Sequence, residues 1–132
     1  MTVKEFLQKG RQLNFELNEL KAARAVAFGK ACSVSIQSYE EKIHTDSGNS
    51  SEAKFTTLAD YSIEIDKRIK ELSDYRGKML RLINTLDDST CRAVLIARYI
   101  NCQSWNNIAD VMHYTVRNVF ILHKTALAAL KI

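Results

Sequence analysis

At 132 residues, 46% of them hydrophobic, the chain can bury one modest core without disulfides or metal. Its three cysteines, Cys32, Cys91 and Cys102, form no CxxC pair, and neither a secretory leader nor an apolar run long enough to span a bilayer is visible, so the chain reads as a reduced, cytoplasmic protein with no membrane contact. Net charge is only +4, but from Asp88 onward Arg92, Arg98, Arg117, Lys124 and Lys131 face only Asp88 and Asp110, which places +3 in the last third.

The absence of proline, the four glycines and the long stretches of Ala, Leu, Lys, Glu and Arg predict an all-α chain. Thr2 with Glu5 forms a capping box that starts a first helix, predicted over residues 3 to 43, and Phe6, Leu13, Leu17, Leu20, Ala27 and Ala31 keep to one stripe, interrupted by Gly10 and Arg24. Helical signal weakens near Ser33 to Ser38. Between His44 and Glu52 the run Thr-Asp-Ser-Gly-Asn-Ser-Ser reads as a loop.

A second helix is predicted from about Glu52 to Leu86, because Leu58, Ile65, Leu72, Met79 and Leu86 recur every seven residues with Ile69 and Ile83 on the neighbouring row. Ser62 and Arg76 interrupt that row. Such a seam needs a partner, either the first helix folded back as a coiled-coil-like antiparallel hairpin or another copy of the same chain. Asp87-Asp88-Ser89 supplies N-cap chemistry for a fresh helix and sets a boundary there, giving a helical hairpin over residues 1–87, for oligomerisation or partner binding, and a three-helix unit over residues 88–132.

Within that last part, residues 91–100 read as a helix and residues 104–122 as a helix-turn-helix. Ala109 is the small residue needed where two such helices nearly touch. Ile108, Met112, Val119 and Leu122 supply the apolar positions around it, with a tight turn at His113-Tyr114. This geometry turns the second helix outward, toward a DNA major groove. Trp105, one turn before Ala109, is expected between the helices, and Phe120 is expected to pack under the N-terminal helices or a second subunit.

The segment from Val94 to Leu130, with Arg98-Tyr99-Ile100-Asn101, Ser104-Trp105, Ile108-Ala109, His113-Tyr114-Thr115, Val119 and Leu122-His123, resembles region 4 of bacterial sigma factors. More closely it is similar to small phage proteins of Gram-positive hosts, the late transcriptional regulators of the ArpU and RinA type. The match covers the last third, and the preceding helical part agrees in layout. Glycine is usual in this pattern where the chain has Cys102 and His113, positions suited to a left-handed backbone that histidine tolerates. An acidic residue is usual where it has Asn107. The resemblance implies a sigma region 4-like DNA-binding domain in the cytoplasm of a bacterial host.

For DNA, Val116, Arg117, Asn118 and Ile121 are the candidate base contacts, since arginine reads guanine O6 and N7 and asparagine reads adenine N6 and N7. Ser104 and Thr115 are candidate N-caps whose helix starts can meet phosphates, joined by Lys124 and Lys131. Cys91, Cys102, His113 and His123 are spaced by 11, 11 and 10 residues, which matches no zinc pattern, and Glu40-Glu41 and Asp87-Asp88 fit helix surface and capping. No metal, cofactor or enzyme is expected. The leading function is a phage-type, sequence-specific transcriptional regulator of the late gene activator kind, with double-stranded DNA and host RNA polymerase as partners and a homodimer as its assembly. The alternatives are a helical module engaging polymerase or a phage protein without specific readout, and an assembly role with non-specific nucleic-acid binding.

Overall fold

The computed structural model describes the backbone of residues 1–41 and 48–131, and the side chains of residues 1–32, 52–53 and 55–131. Among these residues the fold is all-helical: α1 (Val3–Glu41), α2 (Gly48–Ile83), α3 (Ser89–Leu95), a π-helical segment (Ile96–Ile100), α4 (Trp105–Met112) and α5 (Val116–Ala129). Helix α1 continues through Ser33 to Ser38, where the sequence pattern weakens, and α2 starts before the expected Glu52. The expected loop therefore loses Gly48 to Glu52 to helix, and its residues 44–47 lie outside the described residues.

The described chain groups into two compact units, one of Met1–Asn14 with Glu71–Ile132 and one of Phe15–Lys70, so that residues on both sides of Asp87-Asp88 share the first unit. In that unit the start of α1 is fixed locally. Thr2 N–H donates to Glu5 Oε2 at 3.0 Å and Glu5 N–H to Thr2 Oγ1 at 3.1 Å, a reciprocal capping box. Beyond it Leu7 is fully buried among Met79, Ile83, Leu86, Leu95, Tyr99, Ala126 and Leu130. Gly10, which breaks the hydrophobic stripe in sequence, has a packing reason: a Cβ there would overlap the Met79 sulfur and come within 2.6 Å of Met79 Cε. Arg76 meets Asn14 at 3.0 Å, and the Tyr75 hydroxyl donates to the Phe6 carbonyl at 2.7 Å.

After α2 the chain turns at Asn84 to Asp87 and restarts at Asp88, whose carboxylate accepts from Thr90 N–H at 2.8 Å and Cys91 N–H at 3.4 Å. Arg92 donates to the carbonyls of Leu86 and Asp87, satisfying backbone groups of the turn that links α2 to α3. Helix α3 then widens into the π segment, closed by Asn101 N–H to Ile96 carbonyl at 2.9 Å.

The Phe15–Lys70 unit is an antiparallel pair of helices, with Glu16 opposite Arg68 and residues 23–30 opposite Thr57 and Tyr61. Arg68 bridges Glu16 and Glu64, each at 3.1 Å. Leu17, Ala31 and Ile65 are buried in this unit, Leu58 is half-buried, and Ser62 satisfies its hydroxyl on the Leu58 carbonyl at 3.0 Å. Ile69, expected beside the heptad seam, is 44% exposed. Two helices cover one shared seam, and a residue one row away has no third element of its own unit to cover it.

Candidate nucleic-acid interface

Helices α4 and α5 and the tail after them form the candidate site. Ser104 caps α4, its Oγ accepting Asn107 N–H at 3.2 Å, and Thr115 caps α5, its Oγ1 accepting Asn118 N–H at 3.1 Å. Both capping residues are exposed. Each helix start therefore leaves other N–H groups pointing outward at the positive end of a helix dipole. The turn between the helices is built by His113, at φ 59° and ψ 37°, with Tyr114 N–H donating to the Ala109 carbonyl at 2.9 Å and His113 N–H to the Asp110 carbonyl at 3.3 Å. That pair of bonds is the Schellman arrangement, which closes a helix end by a left-handed residue. Cys102, at φ 55°, plays the same part after the π segment. The two positions where glycine is usual in the resembled pattern are thus the two positive-φ positions outside glycine among the described residues.

Packing decides which face of α5 looks outward. Val94, Ile108, Ala109 and Val119 make a buried cluster, with Ala97, Trp105, Met112, Val116 and Leu122 packed against it. Ala109 at 3% exposed sits where α4 meets its neighbours. On α5 Val119 and Ala126 define the buried side, so Arg117, Ile121 and Lys124, at helical spacing, share the opposite side, and all three are exposed. Asn118 is exposed on the flank about 100° round from Val119. Val116 is half-buried against the core, which leaves less of it to face a ligand than the sequence reading gave it. Lys131 lies past the end of α5 and is exposed.

The five cations of the last third divide by what they touch. Arg92 is held on backbone carbonyls, and Arg98 donates to the Gln103 carbonyl at 3.0 Å while its guanidinium lies 4.3 Å over the Trp105 ring. Arg117, Lys124 and Lys131 are exposed and enter no ion pair among the described residues. Helix α5 carries no acidic residue, so an approaching phosphate meets no carboxylate on it.

Behind this surface lies an aromatic cluster that sequence reasoning did not assemble. The Tyr99 hydroxyl and His123 Nε2 are 2.6 Å apart, and the Trp105 ring meets His123 edge-on at 4.8 Å and Phe120 at 5.0 Å. Burial, then the charges of Lys4 and Arg98, push the His123 pKa down to about 4, so the ring is neutral at pH 7. Burial likewise raises the Tyr99 hydroxyl. Lys4 and Arg11, from the first helix, therefore add positive charge beside Arg98 and His123. No local signal announces neighbours so far apart along the chain. Phe120, expected under the N-terminal helices or a second subunit, meets Trp105 edge-on and is 46% exposed in the single chain.

The thiols and histidines between α3 and α5 serve the backbone and the core. Cys91 is buried with its Sγ 3.8 Å from the Leu122 carbonyl, and burial first, with Asp88 second, raises its pKa. Among the described residues there is no group of three or more His, Cys, Asp or Glu side chains that could hold a metal, and no helix is long and apolar enough to cross a membrane. No family model, no curated protein and no solved structure matches this chain.

Proposed function

We propose that this chain is a phage-type, sequence-specific DNA-binding transcriptional regulator, acting as a late gene activator does in the bacterial cytoplasm, with α5 laid in the major groove. The observation that carries the reading is the Ser104-capped α4, the left-handed turn at His113 and the Thr115-capped α5, with Arg117, Ile121 and Lys124 on one outward side of a helix that carries no acidic residue. Arg117 then reads a guanine edge, Ile121 meets a thymine methyl, and Asn118 reaches an adenine from the flank. The starts of α4 and α5 at Ser104 and Thr115, with Lys124 and Lys131, hold phosphates. Contact with host RNA polymerase is part of the same proposal and is supported by the resemblance of the Val94 to Leu130 segment to sigma region 4.

Titration of wild type and single variants against a preferred duplex and a scrambled one, at several salt concentrations, tests this. Arg117→Ala or Asn118→Ala should weaken the preferred site by about 1 to 3 kcal/mol and spare the scrambled duplex. Lys124→Ala should weaken both alike and lower the slope of log affinity against log salt by about one. Equal losses on both duplexes for all three variants would remove base readout. A second reading, a module that engages polymerase or another protein, is favoured by the exposure of Val111, Tyr114, Phe120 and Ile121 around the turn and α5. Unchanged DNA affinity in every folded variant would favour that second reading.

A further inference from the structure

The Phe15–Lys70 unit contains an open groove of about 660 Å³ whose two banks carry opposite charge. Lys21 and Arg24 stand on the α1 bank with Ala25 and Phe28; Asp66 stands on the α2 bank with Ile65 and Ile69. Phe28 is 59% exposed and Ile69 44%, so large apolar side chains line the groove without cover among the described residues. A solvated helical surface would not leave such side chains together in a concave face.

We propose that this groove is the self-association surface of the chain, occupied by the same groove of a second copy in a two-fold four-helix arrangement. An isologous interface requires a patch that complements itself, so that residue i meets j and j meets i. The antiparallel banks meet that requirement. Taking Ala25 and Ile65 as the centre, Phe28 lies about 4.5 Å along one direction and Ile69 about 6 Å along the other, at 1.5 Å rise per residue. A two-fold axis through the centre brings Phe28 of one copy over Ile69 of the other, twice. Arg24 and Asp66 both lie about 1.5 Å from the centre, on opposite banks, so rotation sets each Arg24 within side-chain reach of the copy's Asp66. Ala25, the smallest side chain of the lining, stands at the centre and allows close approach. A second copy supplies both signs of charge at once.

The pairing does not rest on the DNA reading and is measured without DNA, by sedimentation of the full chain at micromolar concentration with helical content followed in parallel. Wild type should sediment at twice the chain mass. Phe28→Glu, at an exposed position, should keep its helical signal and weaken pairing by more than about tenfold. Arg24→Asp and Asp66→Arg should each weaken it, and the double variant should restore it, because in a two-fold interface the swap rebuilds both contacts. The swap also decides the matter if Phe28→Glu fails to fold. A wild type that stays monomeric overturns the proposal and leaves the groove to a helix of another protein. Pairing unchanged by Phe28→Glu, or a swap that restores nothing, overturns it as well.

Discussion

The two compact units are built from the same two long helices yet solve different problems. Met1–Asn14 with Glu71–Ile132 brings α1 and α2 against three further helices, and Leu7, Met79, Ile83, Val94, Leu95, Ile108, Val119 and Ala126 all fall at or near zero exposure. Phe15–Lys70 has one helix pair, buries Leu17, Ala31 and Ile65 among its described residues, and leaves Phe15, Val26, Phe28, Ile63 and Ile69 exposed. Charge divides the same way. The first unit has eleven Lys and Arg against six Asp and Glu, and the second has eight against nine. A seam between two helices supports one row of core, whereas crossing helices support a cluster, so stability and positive charge gather in the unit that carries the candidate interface.

The sharpest way to break this contrast is core truncation. Leu95→Ala, in the first unit and fully buried, should cost about 2 to 5 kcal/mol in denaturant unfolding. Phe15→Ala, at 64% exposure in the second, should stay within about 0.5 kcal/mol. Comparable losses would dissolve the distinction.

Acid titration acts next, and again on the first unit. Folded His123 resists protonation down to about 4 while its ordinary value is 6.5, so between those values the unfolded chain binds a proton that the folded chain does not. Stability is full above about pH 6.5 and falls as pH drops toward 4, by roughly 2 kcal/mol after allowance for solvent around the ring. Chemical unfolding of wild type and His123→Gln at pH 7 and pH 4.5 checks it; the variant should lose this part of the slope.

The smallest effect is a gain. Cys102→Gly and His113→Gly relieve a left-handed backbone at φ 55° and 59° and should each raise stability by less than about 1 kcal/mol. A loss at His113 would mean that its side chain contributes more than its turn costs.

These effects also show what the sequence could announce. Caps at Thr2, Asp88, Ser104 and Thr115 were legible because each bond closes within three residues. The heptad row was legible from Ile65 to Leu86, whose members are all buried. Ile69 and Ile83 looked alike in the pattern and differ in fact, because Ile83 meets the C-terminal helices and Ile69 has no such neighbour in its unit. The burial of Leu7 and of Tyr99 has no local signal, because it is made by residues far along the chain. The π segment has no signature in residue type, and the Arg98–Trp105 and Tyr99–His123 pairs depend on where it sets the following turn. Of the candidate site, Arg117, Ile121 and Lys124 emerge on one side as their spacing required, while Val116 turns toward the core.

Whether α5 reads sequence is decided by selection of bound duplexes from a random DNA pool. Wild type should enrich one motif, and the same protein with Arg117→Ala, still folded, should bind the pool while losing that enrichment. A folded wild type that binds the pool at low salt and enriches no sequence would contradict sequence readout by α5.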